Sequence, residues 1–482
     1  MKTFFNNIRK YGVEQIFYIS ATIASAGVHF VFSIYVKAFV SPLEYGMYSA
    51  CLLLQTYMSY LQLGTLNAFN RDYPQLVGAG EKEKCEQYRN TVFSFLLTVF
   101  LLAGFLAIGI VLIVSKVRCI DVRYTIGLIL MVVITIVSMI ENYGSYRCRI
   151  DKGFKYISFT ISAELLSVPI SFFLVRDVGY YAIFINSILA MIIGVVFYYN
   201  SSFKDFKYVL DKELLFSIVK TGMPLLISGL IWTVVNSIDK FVILGFINTE
   251  ALGVYGIAQN AFTYMILIPT AMSQIFLAQM GKEYGRREDV NVLSAVSMKF
   301  SAILAAVTSM IALIAYFFLP VLVDSFMPSY SDGVAASQIL ILGLSIYAAT
   351  LINGNILTIL KKNGALLLNS VLVCLFNVVC SIGYVFVFGS KIESVALGTS
   401  TSYIFCTFVI IYQVHKYAKA DIGLIIKASV MPVCISLIPG IVFFNLIENK
   451  IGGFAVAVCF VILFYGFFYR KQILSIAREE QR

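Results

Sequence analysis

Charge is scarce in this sequence. Asp, Glu, Lys and Arg supply 13% of its 482 residues, against roughly 25% in soluble domains. A chain so poor in ionic groups cannot clothe a water-facing surface of ordinary size. Histidine is scarcer still: His29 and His415 are the only two, which argues against a His-based metal site. The nine cysteines include no C-x-x-C pair, so no zinc site is written here. Cys51, Cys374, Cys380, Cys406, Cys434 and Cys459 lie within apolar stretches, Cys85 and Cys148 fall on the side assigned below to the cytoplasm, and Cys119 alone falls outside. One outer cysteine cannot build a disulfide framework. No G-x-x-x-x-G-K-[ST] loop occurs, so the chain does not itself hydrolyse ATP through a P-loop. No H-E-x-x-H occurs, and the loops outside the apolar stretches are short. Nothing calls for a metal or a cofactor, and no catalytic residue set stands out.

What is abundant is apolar sequence. Hydrophobic residues make up 60% of the chain, gathered into runs of about 20 residues, the length that crosses about 30 Å of hydrocarbon as a helix. Fourteen such runs, helices 1 to 14, are expected over 12–37, 45–66, 91–114, 125–147, 156–175, 178–199, 217–245, 253–278, 297–321, 336–360, 364–388, 393–415, 425–446 and 451–469. The N-terminus has the look of a signal peptide, with Lys2, Arg9 and Lys10 before Ala24, Ser25 and Ala26. Its apolar run continues to Val40, too long for a signal core, so 12–37 is kept as the first helix. The net charge of +10 reflects basic residues in the short loops rather than a nucleic-acid surface. Placing the N-terminus inside puts 28 of the 36 Lys and Arg on the inner side. The positive-inside rule therefore places both termini in the cytoplasm.

A repeat is visible. Glu44, Tyr45, Gly46, Met47 and Tyr48, with Thr56, Tyr57 and Met58 following, are echoed by Ala251, Leu252, Gly253, Val254 and Tyr255, with Thr263, Tyr264 and Met265. Five identities share one offset of 207 residues. Both segments follow the first helix of a six-helix set. The expected fold is an all-α polytopic membrane protein of about 14 transmembrane helices. It has two six-helix lobes, 1–213 and 214–420, with two extra helices and a cytoplasmic tail in 421–482. Transporters are commonly built from such repeats.

Polar groups at membrane depth are costly, at least about 2.5–3.5 kcal/mol for a charge, and so are functional candidates. Helix 1 carries Thr22, Ser25, His29 and Ser33 on one face, a pattern that also serves helix–helix hydrogen bonding. His29 alone among them titrates near neutral pH. Helix 4 carries Ser138, Glu141, Asn142 and Ser145, with Arg147 and Arg149 at its inner end. Glu141 suits either a cavity or a salt bridge to one of these arginines. Glu164 in helix 5 lies about nine residues, roughly 13 Å, from the inner end, with Pro169 positioned to kink the helix. It must be protonated, paired across helices or facing a wet cavity, and with His29 it is the candidate for ion coupling. Asn236, Asp239 and Lys240 fall on one face of helix 7, where Asp239 and Lys240 can compensate each other or face a substrate. Asn70 and Arg71 close the inner end of helix 2, where Arg71 is either an ordinary positive-inside residue or a phosphate ligand.

The stretch Thr221, Gly222, Met223, Pro224, then Asn236, Ser237, Ile238, Asp239 and Lys240, then Leu252, Gly253, Val254 and Tyr255, resembles the middle of bacterial polysaccharide transporters. These are the O-antigen (lipid-linked oligosaccharide) flippases of the multidrug/oligosaccharidyl-lipid/polysaccharide exporter superfamily. Ser41, Pro42, Leu43, Glu44, Tyr45, Gly46, Met47 and Tyr48 resemble that family's opening. Members often carry Arg after the helix 7 Asp; here Lys240 keeps the charge but loses the bidentate fork. The resemblance implies two lobes around a central cavity. It implies a polyprenyl-diphosphate-linked oligosaccharide, of O-antigen or capsule type, moved from inner to outer leaflet of the bacterial inner membrane by alternating access. The partners implied are that substrate, the bilayer and other membrane proteins of glycan assembly, with no nucleic acid. Arg71, Asn70, Glu141, Asn142, Arg147, Arg149, Asn236, Asp239 and Lys240 are the substrate or cavity candidates. A cation-coupled multidrug exporter of the same fold is the alternative, kept open by Glu141 and Glu164. A membrane enzyme or a scaffold of glycan assembly is a more distant one.

Overall fold

The computed structural model describes residues 2–287 and 289–468, and among these the chain is helical with no strand. It divides into two compact units, Met1–Leu230 and Ile231–Arg482. The first contains α1 (Lys2–Phe39), α2 (Pro42–Met58), α3 (Thr65–Ala79), α4 (Lys82–Arg118), α5 (Val122–Lys152), α6 (Phe154–Glu164), α7 (Ser167–Val178), α8 (Tyr181–Tyr198) and most of α9 (Lys212–Val235). The second contains α10 (Ile238–Phe246), α11 (Thr249–Arg287), α12 (Val290–Phe326), α13 (Gly333–Ala349), α14 (Leu351–Ile359), α15 (Asn363–Phe388), α16 (Ile392–Ala418), α17 (Ile422–Ala428), α18 (Val430–Leu446) and α19 (Lys450–Phe468).

Twelve stretches of described helix are long and apolar enough to cross a membrane, and a thirteenth forms if α17 and α18, bent by 42°, count as one. The run expected over 45–66 is not among them. It folds as α2, 17 residues long, then a 3-10 turn over Ser59–Gln62. Leu63 and Gly64 follow in left-handed conformation before α3 begins. The physical reason is a close backbone crossing: a Cβ on Gly222 of α9 would lie 2.1 Å from the Gly64 carbonyl oxygen. Only glycine on both sides permits that approach.

Helix starts follow the local chemistry. Ser41 caps α2 by accepting from the Glu44 N–H, while the Glu44 carboxylate accepts from the Ser41 N–H, with Pro42 in the first turn. This is a capping box, and it accounts physically for much of the opening motif. Asn248, 207 residues later, accepts from the Ala251 N–H at 2.7 Å at the start of α11. The repeat thus marks the same helix start twice.

Breaks interrupt other expected helices as well, two of them at or beside candidate residues. Helix 5 divides at Leu165 and Leu166, four residues before Pro169, because proline lacks the N–H that would bond residue 165 and its ring crowds that carbonyl. Helix 7 divides at Asn236 and Ser237, so the face expected to run unbroken from Asn236 to Lys240 is interrupted just after its first residue. In the first unit α5 packs against α2, α4 and α8; in the second, α16 packs between α13 and α15, and α18 and α19 pack on α12.

Candidate functional sites

Each unit holds a cavity with charged and hydrogen-bonding side chains in its wall. The first, about 380 Å³, is lined by His29, Ser33, Tyr45, Tyr48, Glu141 and Glu164, with Asn186 and Ser187 from α8. The break in helix 5 makes Glu164 the last residue of α6, at a point where the helix ladder is already interrupted. Glu141 comes from the middle of α5. The two carboxyl side chains meet over Gly194 of α8, where a Cβ would lie 2.6 Å from Glu164 Oε1 and 3.2 Å from Glu141 Cγ. Glu164 Oε1 is buried and has no hydrogen-bond partner among the described residues. An acceptor left so at this depth is the kind of group that a proton, a cation or a substrate donor satisfies.

The rest of the helix 4 group is dispersed. Asn142 donates to the Ser138 carbonyl of its own helix at 2.8 Å. Arg147 is 3% exposed, bonded to Asp151 at 3.2 Å and to the Ser202 carbonyl, so it ties α5 to the turn after α8. Arg149 donates to Asn70 Oδ1 at 2.5 Å and lies over the Tyr146 ring. Arg71 forms a two-pronged pair with its neighbour Asp72, at 2.5 and 3.0 Å. Asn70, Arg71 and Arg149 therefore gather at one end of the first unit. None of them lines its cavity. On helix 1, His29 and Ser33 reach the cavity, whereas Thr22 donates to the Tyr18 carbonyl.

The second cavity, about 230 Å³, is lined by Asn236, Asp239, Lys240, Gln259, Thr263 and Tyr403 among others. Asp239 is buried, and its two oxygens accept from the Tyr255 and Thr399 hydroxyls. Lys240 beside it makes no ion pair within 4.0 Å among the described residues. The offset of 207 carries His29 onto Asn236, Ser33 onto Lys240 and Tyr48 onto Tyr255. Three residues at or beside the first cavity thus have counterparts at or beside the second. The chemistry of the two cavities differs: two carboxyls in the first, an amine beside a caged carboxyl in the second.

The profile of the polysaccharide biosynthesis protein family matches residues 14–276, from the first helix through most of α11. The chain belongs to this family. The match takes in Glu141, Glu164, Asp239 and Lys240 together. No curated protein sequence matches the chain. Among solved structures, the lipid II flippase MurJ in an inward closed conformation superposes with a TM-score of 0.75 at 15% identity, covering 95% of this chain and all of that one. An inward-facing multidrug resistance MATE family transporter of the MOP superfamily gives 0.66 at 14% identity, covering 84% of this chain and 99% of its own. A MOP superfamily transporter from Pyrococcus furiosus gives 0.55 at 14%, covering 86% and 95%. These likenesses are of fold, and the fold is that of multi-pass membrane transporters.

One residue of this family member's first unit escaped the sequence reading. Lys37, in the last turn of α1, is 2% exposed. Its amine donates to Ser33 Oγ at 3.0 Å and sits 3.9 Å from the Tyr45 ring centre, both groups that line the first cavity. The signal was present: 29, 33 and 37 continue one helical face at steps of four. Gly194, which makes room for the carboxyl pair, had no sequence signal.

Proposed function

We propose that this protein is a flippase that moves a polyprenyl-diphosphate-linked oligosaccharide, of O-antigen or capsule type, from the inner to the outer leaflet of a bacterial inner membrane. Family membership over residues 14–276 and the full-length likeness to a lipid II flippase support it. The observation that carries the reading is a pair of cavities, one in each unit, each with charged and hydrogen-bonding side chains in its wall. A sugar–diphosphate head cannot cross hydrocarbon unaided. Two polar half-sites in a duplicated frame suit a carrier that alternates access by rocking one lobe, 1–213, against the other, 214–420, with 421–482 alongside. Both termini lie in the cytoplasm in this reading, so Asn70, Arg71 and Arg149 stand at the inner face. Arg149 is held by a neutral amide rather than a carboxylate, which leaves its charge for a diphosphate. Glu141, Glu164 and His29 form the ion-coupling site. Other glycan-assembly proteins are its natural neighbours.

The test is leaflet exchange. The protein is reconstituted with a fluorescent polyprenyl-diphosphate oligosaccharide, and accelerated exchange over empty liposomes is expected. No acceleration, alongside robust drug–proton exchange, would overturn the proposal in favour of a cation-coupled multidrug exporter. The carboxyl pair in the first cavity is the observation that favours this second reading. Glu164→Gln separates coupling from structure: it should abolish the dependence of transport on a pH gradient, and an unchanged dependence makes Glu164 structural.

A further inference from the structure

The second cavity carries more than a stray charge. Asn236, Gln259 and Lys240 all line it, and none of their side chains forms a hydrogen bond or ion pair among the described residues. Asp239, adjacent to Lys240 in sequence, has both oxygens engaged by hydroxyls. Polar groups at membrane depth normally find partners within the protein. Two carboxamides without a hydrogen bond, and an amine whose charged neighbour Asp239 is already engaged by two hydroxyls, point to a ligand that supplies their partners.

The wall of this cavity is aromatic. Phe262 and Tyr403 both line it and stack at 5.8 Å with an interplanar angle of 19°. Tyr403 stacks in turn on Tyr347 at 5.2 Å, and Tyr347 lies 6.1 Å from Trp232. Four rings form a ladder whose near end faces these carboxamide and amine groups. A flat apolar face beside several hydrogen-bonding groups fits a pyranose ring, which has apolar C–H faces and a rim of hydroxyls. A cavity of about 150 Å³ holds a benzene ring, so the volume of about 230 Å³ here has room for one sugar ring. Lys240 is the one amine among the lining residues, and the Asp239 carboxyl beside it is engaged by the Tyr255 and Thr399 hydroxyls. A phosphate monoester brings about −1.5 to −2 at neutral pH, more than one Lys answers; a carboxylate brings one.

We infer that this cavity is a monosaccharide subsite for an acidic sugar of the hexuronate class. The carboxylate meets Lys240 Nζ, the hydroxyls meet Asn236 and Gln259, and the ring lies on Phe262 and Tyr403. The assignment rests on the flippase reading and narrows it to glycans that contain an acidic sugar.

Trp232 is the chain's single tryptophan and ends the aromatic ladder, so it reports on the site without labelling. The full-length protein in detergent is titrated with glucuronate, glucose and inorganic phosphate while tryptophan emission is followed. Saturable quenching by glucuronate is expected, with glucose weaker by about tenfold or more, the loss of one charge-assisted hydrogen bond. Lys240→Gln should remove the difference between the two sugars, and Lys240→Arg should keep it. Equal response to glucose and glucuronate, phosphate as effective as glucuronate, or no response to any of them overturns the subsite. Leaflet exchange separates the two claims. Equal exchange of neutral and acidic lipid-linked glycans overturns the subsite and leaves the flippase. Intact glucuronate quenching with exchange of neither leaves the subsite and overturns the flippase.

Discussion

Replacing Gly194 by alanine puts one methyl group between two carboxyl side chains. The new Cβ would lie 2.6 Å from Glu164 Oε1 and 3.2 Å from Glu141 Cγ. Ordinary contact begins near 3.4 Å, so the Glu164 carboxyl must retreat by about 0.8 Å, the difference between the two distances. It is the free end of a flexible side chain with a cavity beside it, so it can move. The cost is that of an off-rotamer torsion, about 0.5–1.5 kcal/mol, offset by the gain of about 1 kcal/mol when alanine replaces glycine within a helix. Folding stability should therefore stay within about 1 kcal/mol, read as an unchanged unfolding temperature in detergent. Transport should fall about tenfold or more, since displacements approaching 1 Å at a working site can cost about a hundredfold. The assay is leaflet exchange in proteoliposomes with and without a pH gradient. Gly109→Ala is the control, because a Cβ there meets nothing within 4 Å. If Gly194→Ala transports at the unsubstituted rate with the same response to the gradient, the placement of the carboxyl pair is immaterial and the coupling role of Glu141 and Glu164 falls.

Other perturbations follow from the same geometry. Gly222→Ala sets a methyl 2.1 Å from the Gly64 carbonyl, backbone against backbone. It should destabilise the protein by about 1–3 kcal/mol, the usual cost of overpacking, seen as a lowered unfolding temperature. Arg147→Ala leaves Asp151 and the Ser202 carbonyl without their buried donor and should cost about 3 kcal/mol. Arg149→Ala, near the surface and paired with an amide, should change stability by less than about 1 kcal/mol while weakening binding of a diphosphate-bearing substrate; the contrast is read by thermal unfolding beside substrate titration. Lys37→Met removes a buried amine whose contacts are a hydroxyl and a ring. It should leave the unfolding temperature unchanged or raised, because an apolar chain of similar length loses no charge pairing there. A collapse of the fold would show that the amine is structurally required.

Sequence alone decided what kind of molecule this is. Run length against hydrocarbon thickness is a property of the chain by itself, so membrane embedding, the helical class and most of the spans were legible. The 207-residue offset was legible too, in five identities, none of them a capping residue; the caps at the two helix starts, Ser41 with Glu44 and Asn248 with Ala251, fall at the same offset with different side chains. Breaks were half legible. Pro169 announced a disturbance, but its position at Leu165 and Leu166 follows from hydrogen-bond geometry one turn earlier. The crossing of Gly64 and Gly222, which shortens the second span, needs two backbones 158 residues apart and leaves no local trace.

Tertiary structure alone decided which polar residues share a space. Glu141, Asn142, Arg147 and Arg149 form one patch in sequence, yet the first faces a cavity, the second bonds its own helix, the third is locked to Asp151 and the fourth reaches Asn70. Those residues lie only a turn or two apart, and their fates depend on how α5 is rotated against its neighbours and how far each side chain reaches. No periodicity encodes that. Lys37 shows the same limit from the other side: its helical face was readable, but its burial came from Tyr45 closing over it. The approach of Glu141 to Glu164 over Gly194 likewise required three helices to meet at one depth.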